Sequence, residues 1–269
     1  MNGLLAHADT IRLTAFVGAI VLLGFLQWRF GLRHDGRPAQ RQAVNLGLVL
    51  IDTLALRLVF PVLAVAWAVT IHAADQGLLG LVDGPIWLEI VLAVLVLDLA
   101  IYWQHRLMHA IPLLWRLHRV HHCDTAFDLT TGVRFHPLEI LLSMAIKFAV
   151  IAALGAHPLA VLIFELALSL GALWTHTDIA LPRKLDRSLR RLFVTPSMHR
   201  IHHSTWRQET DSNYGFHLSV WDRLFRSYTA DPREPENKMP IGLQAFRETR
   251  DQTLTALLLN PFRGTEARR

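Results

Sequence analysis

Apolar residues fall along this chain in long blocks, with neither the two-residue alternation of a half-buried strand nor the narrow stripe of an amphipathic helix. Five blocks can be drawn, at roughly 11–28, 44–70, 86–104, 138–155 and 158–174. Each approaches or exceeds the about 17–25 residues that a helix needs to cross a bilayer. The predicted fold class is therefore all-α, an integral-membrane helical bundle of about four to five segments. Only Gly155-Ala156-His157 separates the last two blocks, so they form a helical hairpin. The first block has no basic leader and no small-residue cleavage site, which favours a retained span over a removable signal.

The polar sequence between the blocks is unequal. Arg29, Arg33, Arg37 and Arg41 follow the first block and Arg106, Arg116, Arg119 and Arg134 the third, whereas 71–85 contains no Lys or Arg. Basic loops stay on the cytoplasmic side, and an outside N-terminus with five crossings satisfies every loop. Residues 105–137 and 175–269 then form a helical cap on the cytoplasmic side of a single domain, 1–269, and the active site is expected there.

Composition agrees with this picture. The chain is 52% hydrophobic and only 18% charged, with a mean hydropathy of +0.30 and a formal net charge of +5. A surface that faces lipid needs few charges. No basic stripe with interleaved aromatics occurs, so no nucleic-acid partner is expected. Cys123, the sole cysteine, excludes an intrachain disulfide and a Cys-ligated cluster.

The candidate chemistry lies in the histidines. HRLMHAIPLLWRLHRVHH, at 105–122, holds five of them. Three clusters stand out, His105-x3-His109, His118-x2-His121-His122 and His199-x2-His202-His203, with His176 alone in WTHTD. Positions i, i+3 and i+4 share a helix face, so each cluster is expected to aim two or three imidazoles at one point. Nine imidazoles exceed what one metal ion accepts, whereas two octahedral-type ions use eight or nine. Iron, copper, zinc and nickel all suit neutral imidazole. The plainer alternative is a set of basic residues that merely orient the spans; two copies of H-R-[VI]-H-H argue against it.

Seven motifs run in order over about half the chain: DLAIYWQHRLMH (98–109), LWRLHRVHHCD (114–124), VRFHPLE (133–139), WTHTD (174–178), TPSMHRIHH (195–203), DSNYG (211–215) and WDRLF (221–225). In them the sequence resembles the fatty acid hydroxylase and sterol desaturase superfamily of integral-membrane oxygenases. The lone His176 followed by TPSMHRIHH is most similar to the alkylglycerol monooxygenase branch. Cys123 stands where Ser is usual and Arg226 where Gly is common, and neither change touches a proposed ligand. The resemblance implies a mostly histidine-ligated pair of iron ions, for which zinc can substitute in a purified protein. It implies O2-dependent hydroxylation of a C–H bond in a membrane lipid, whether fatty acyl, ether lipid or sterol/isoprenoid. Lipid or carotenoid desaturation at the same centre stays open, as does a metal-binding membrane protein without catalysis.

Supporting residues can also be named. Asp98 shares a helical stripe with Tyr102, His105 and His109, and an ionisable group inside an apolar block is a functional candidate. It is expected to orient a ligand imidazole, or else to pair with Arg57. In DSNYG, Asp211 and Asn213 are expected to meet ligand imidazoles and Tyr214 to line the pocket, ordinary turn chemistry being the alternative. His136 is expected to cap the fourth block or to sit at an interface, a direct or water-mediated ligand role being the alternative; His7, His34, His72 and His157 are expected to be solvated, and His217 has no partner at helical spacing. No haem-binding domain, flavin fingerprint or dinucleotide loop is present. Electrons are therefore expected from an external ferredoxin or cytochrome, docked on Arg183, Lys184, Arg187, Arg190 and Arg191; anionic headgroups suit the same charges. Finally, Lys147 and Glu165 lie nine residues either side of Ala156, and are expected to face each other at one depth of the hairpin.

Overall fold

The computed structural model describes residues 2–33, 39–74, 77–81 and 83–264. His34 and Arg37 lie outside them. Helices α1 (Asn2–Ala6), α2 (Ala8–Phe30), α3 (Ala39–Val59), α4 (Ala64–Ala73), α5 (Ile86–Ala110), α6 (Pro112–His122), α7 (Pro137–Leu154) and α8 (Pro158–His176) make up the first two thirds. The remainder carries only short helices: α9 (Arg183–Leu189), α10 (Pro196–His202), α11 (Arg207–Thr210), α12 (Val220–Leu224) and α13 (Leu254–Leu259). The described residues form isolated bridges but no strand.

Five helical stretches are long and apolar enough to cross a membrane: α2, the α3–α4 stretch, α5, α7 and α8. The block expected at 44–70 is thus two helices. Pro61 lacks an amide hydrogen and disfavours helical geometry at Phe60, so α3 stops at Val59 and α4 restarts at Ala64. Small residues line the helix contacts, with Ala64, Ala68, Ala93, Ala156 and Ala160 fully buried, so that backbones pack closely. Outward, α2 presents Leu13, Val17, Val21 and Phe25, an apolar face suited to lipid.

Two histidines start helices. His136 and His157 each precede a proline at the first helical position, and each Nδ1 accepts the amide hydrogen two residues on, at 3.1 Å. His136 thus caps α7 as expected. His157 departs from expectation: it is buried, edge-on to His72. At the turn between α7 and α8, Gly155 has a left-handed φ of 67°. Gly77 comes so near that a Cβ on it would lie 2.2 Å from the Gly155 nitrogen.

The cap is fastened to the bundle by buried charges. Arg41, on the first turn of α3, donates to both Asp124 oxygens and to Asp128, each at 2.6 Å. Arg134 donates to Asn45 Oδ1 at 3.0 Å and to the Val120 carbonyl at 2.8 Å. Arg119 donates to Asn260 Oδ1 at 2.7 Å. Arg119 and Arg134, read from sequence as loop charges that orient the spans, are fully buried struts. Arg57 lies exposed beside Asp9, at 3.3 Å, and not against Asp98.

Lys147 and Glu165 do face each other, and a third charge joins them: Arg12 of α2 lies 2.6 Å from Glu165. One carboxylate therefore serves two cations, which makes the three charges unequal. Lys147→Met leaves Glu165 paired with Arg12, whereas Glu165→Gln strands Lys147 and leaves Arg12 only Asp9, at 3.9 Å. Glu165→Gln is expected to cost about 3–5 kcal/mol, the scale for stranding a buried partner, and Lys147→Met clearly less. The double variant should recover part of the Glu165→Gln loss. Thermal denaturation in detergent checks this; equal losses for the single variants, or strictly additive ones, would contradict the shared carboxylate.

Candidate metal centre

Helices α5, α6, α8 and α10 bring all nine histidines of the motifs together at one end of the bundle, in two sets. His105, His109, His118, His122 and His202 form one, and His121, His176, His199 and His203 the other; within each set the nearest ring nitrogens lie within 4.8 Å of one another. The expectation that each cluster aims at a single point is corrected here. In α6, His118 and His122 join the first set while His121 joins the second; around α10, His199 and His203 join the second while His202 joins the first. The reason is helical pitch. Residues i and i+4 point about 40° apart, whereas i+3 and i+4 differ by about 100°. Adjacent imidazoles therefore serve different sets, and each H-R-[VI]-H-H motif feeds both.

Ring protons are placed by the acceptors around the sets. The Nδ1–H groups of His105, His121, His176 and His202 donate to the carbonyls of Tyr214 (2.8 Å), Arg134 (3.2 Å), Ala172 (2.7 Å) and Ser212 (2.6 Å). His118 donates to Glu139 Oε1 at 2.7 Å. A carbonyl can only accept, so Nδ1 holds the proton and Nε2 presents a bare lone pair. Those lone pairs converge. His176 Nε2 lies 3.1 Å from His121 Nε2, 3.1 Å from His203 Nε2 and 3.0 Å from His199 Nε2. At most one of these contacts can be a hydrogen bond to His176 Nε2. A cation relieves all of them: with metal–nitrogen bonds of about 2.0–2.1 Å, nitrogens at right angles stand about 3 Å apart. In the other set, Nε2 of His105, His118 and His202 is buried with no partner among the described residues. The donor set therefore fits two metal ions, and rings of the two sets touch, His122 and His203 being stacked at 4.6 Å between centroids.

Electrostatics points the same way. Burial, reinforced by neighbouring imidazoles, holds His121, His122, His199 and His203 well below the usual 6.5 and brings His202 down to about 3. Neutral imidazole is the form that binds metal.

The supporting residues are placed less simply. Asp98 touches none of the nine; its carboxylate accepts from Trp221 Nε1 at 2.8 Å and meets His217 Nδ1 at 2.5 Å. A shared stripe on α5 did not bring it to a ligand, because His105 and His109 sit about two and about three turns further along the helix. Asn213 also meets no imidazole. It adopts a left-handed φ of 52°, donates to the Met198 and Thr229 carbonyls and accepts from Thr229 N–H, pinning its loop. Asp211 lies 3.4 Å from His109 Nδ1, and the Tyr214 ring packs edge-on against His105, His109 and His202. Of the basic docking residues, Arg183, Lys184, Arg187 and Arg191 are exposed; Arg190 is buried beside Asp186. Sequence reasoning missed two carboxylates. Glu139 holds His118, and its only signal was an acid on the first turn of an apolar helix. Asp222 of WDRLF accepts the Tyr214 and Gly215 amides at 2.8 Å and so fixes the loop whose carbonyls hold His105 and His202.

A cavity of about 300 Å³ opens on His105, His118, His121 and His199 from within the bundle. Ile101, Met108, Ile140, Met144, Leu168 and Phe216 give it mostly apolar walls.

Two outcomes are expected. Glu139→Gln, which keeps the shape but loses the charge on His118, should weaken metal affinity about 10–100-fold, read by competition with a chromophoric chelator; unchanged affinity would remove Glu139 from the centre. The second concerns acid. Imidazoles whose folded pKa lies below the unfolded 6.5 bind fewer protons when folded, so their stabilisation is present above that value and is lost as pH falls toward the folded values. The thermal midpoint of the metal-free protein should therefore drop between about pH 7.5 and pH 5.5, more steeply than one proton per molecule allows. A flat profile over that interval would refute the neutral cluster.

Comparison with known proteins agrees with the motifs. The fatty acid hydroxylase family matches residues 90–227. The chain is 32% identical to ornithine lipid hydroxylase OlsE of Rhizobium tropici over 58% of this chain and 46% of that protein. It is 32% identical to alkylglycerol monooxygenase of Homo sapiens over 52% of this chain and 30% of that protein. Cholesterol 25-hydroxylase of Rattus norvegicus is 26% identical over 76% of this chain. The chain thus spans less than half the length of the first two. No solved structure matches it significantly. With the family matching just over half its length, through every motif of the metal centre, the chain belongs to the fatty acid hydroxylase family.

Proposed function

We propose that this single-domain protein is a multi-pass membrane monooxygenase that hydroxylates a C–H bond of a membrane lipid, using O2 and two iron ions. One observation carries the reading: nine imidazoles gather in two touching sets, and four of them, His105, His118, His121 and His199, border a mostly apolar cavity inside the helices. The proposed ligands are His105, His109, His118, His122 and His202 for one ion and His121, His176, His199 and His203 for the other. Bound there, the irons would supply O2 activation, the chemistry that an unactivated C–H bond demands.

The chain's own residues would set the conditions. Backbone carbonyls of Tyr214, Arg134, Ala172 and Ser212 keep the ring protons away from the ions. Glu139 keeps the His118 proton on Nδ1 and adds negative charge, which raises the ligand's basicity. The apolar part of the wall, from Ile101 to Phe216, would take the lipid from within the bundle, and the lipid would displace water from the centre. The relatives' printed names concern an ornithine lipid, alkylglycerols and cholesterol, which supports an amphiphilic substrate. The exposed Arg183, Lys184, Arg187 and Arg191 present a basic face to an external donor of ferredoxin or cytochrome type. Arginine-rich loops at this end support a cytoplasmic active site.

The test is lipid mass spectrometry of membranes with and without the gene, under oxygen-18 gas, alongside metal analysis of the purified protein. A lipid that gains one labelled oxygen, absent with His121→Ala, and about two irons per chain are expected, since two ions match the nine ligands. A product that only loses two hydrogens would make the protein a desaturase. A metal-loaded protein with no oxygen-dependent product would refute the enzyme.

A further inference from the structure

The cavity is not lined by hydrocarbon alone. Asp52, in the middle of α3, contributes to its wall together with Thr53, Glu139, Lys147, Glu165 and Arg12. Most of these groups have protein partners. Glu139 is engaged by His118, while Arg12 and Lys147 share Glu165. Asp52 differs: it is only 7% exposed, its buried Oδ1 has no hydrogen-bond partner and no ion pair joins it to another described residue, whereas Glu139, bound to His118 through Oε1, leaves only its Oε2 unpartnered.

A carboxylate at this position is costly. It sits thirteen residues into α3, inside a stretch long and apolar enough to cross a membrane, so that only an occupant of the cavity, water included, can supply it with a donor. An unmade hydrogen bond to a buried polar atom costs its full desolvation. The two cations of the cavity are turned to Glu165 and neither pairs with Asp52, and Glu139, a second acid on the wall, accepts from His118 and offers no donor. A plain alkyl chain filling the cavity would worsen the defect by expelling water. An occupant that brings its own hydroxyl or ammonium would remove it.

We infer that Asp52 is a substrate-positioning residue which accepts a hydrogen bond from a hydroxyl or ammonium group of the lipid. The cavity then selects lipids that carry such a donor over plain acyl or alkyl chains. Because Asp52 and the imidazoles His105 and His118 border one cavity, the donor group is drawn inside the protein beside the metal centre and not left at the membrane surface. The word substrate rests on the hydroxylase reading; the binding preference does not.

The probes are hexadecanol, hexadecylamine and hexadecane, which share one chain length and differ only at the end. Each is titrated against the full-length, zinc-loaded protein in detergent micelles and read by native mass spectrometry, with thermal midpoints recorded to verify folding. Hexadecanol or hexadecylamine should bind more tightly than hexadecane. Asp52→Leu should weaken the donor-bearing probe about 10–100-fold, the scale of a hydrogen bond to a charged group, while leaving hexadecane unchanged or improved. Asp52→Asn keeps volume and an acceptor, so it should hold hexadecanol within about threefold and lose hexadecylamine at least about tenfold. That second variant decides the matter if Asp52→Leu does not fold. The stronger of the two probes in the native protein identifies the donor as hydroxyl or ammonium. Equal binding of all three, or equal losses for all three in the variants, overturns the proposal. These measurements need no turnover, so a protein that oxygenates no lipid would refute the hydroxylase reading while leaving the role of Asp52 to be judged by binding.

Discussion

Everything at the centre depends on where nine ring protons sit. Imidazoles packed ring against ring cannot all carry charge, because burial and mutual repulsion forbid it, and they cannot satisfy one another, because donors and acceptors would have to alternate through a crowded cluster. For five of the rings the chain solves this by lending backbone carbonyls and one carboxylate, Glu139, to the outer nitrogens. Each such contact turns a ring so that its second nitrogen faces inward as a lone pair. Much of the cap exists to hold those acceptors still. Asn213 and Asp222 pin the loop that offers the Ser212 and Tyr214 carbonyls, and Arg134, which offers its own, is locked between Val120 and Asn45.

The second constraint is that a protein with so apolar an exterior must settle its charges internally. Three arrangements recur. Arg41 is forked onto Asp124 and reaches Asp128, tying α3 to the cap. Glu165 sits between Lys147 and Arg12, tying α2 to the hairpin. Asp98 joins α5 to α12 and the preceding loop through Trp221 and His217. Each links elements distant in sequence, so each specifies which helices adjoin as well as compensating a charge. Asp52 stands apart because it pairs with no other described residue.

Periodicity read the fold well and partners poorly. Block length sufficed for the five spans because a helix in hydrocarbon must be long and uniformly apolar, and Pro61 only broke one of them into two helices. The nine histidines were legible for a similar reason: their spacing is a helical repeat. What helical spacing could not reveal was the split into two sets, since rings 100° apart look adjacent in a linear motif. Nor could it reveal contacts made across the fold. Glu139 and His118 are 21 residues apart, and Asp98 and His217 are 119 apart. An ionisable residue in an apolar block flags itself, as Asp98 and Asp52 do, but sequence does not say whether the answering group comes from protein, metal or lipid. Asn213 shows the opposite difficulty: its backbone geometry explains it fully, and only coordinates separate that from a place beside a ligand.

The alternation of α6 and α10 between the two sets bears on how such a chain can change over evolutionary time. Inserting or deleting one residue inside H-R-[VI]-H-H would rotate every later ring by about 100°, handing imidazoles of one set to the other and turning Arg119 or Arg200 toward the cluster. No compensating substitution elsewhere restores the phase, because both sets are read from the same turn of helix. Length within these motifs is therefore intolerant of drift, whereas the segments between them carry no such phase. Divergence in this architecture belongs to the linkers and to the cavity wall, and the spacing inside the motifs becomes its most durable signature.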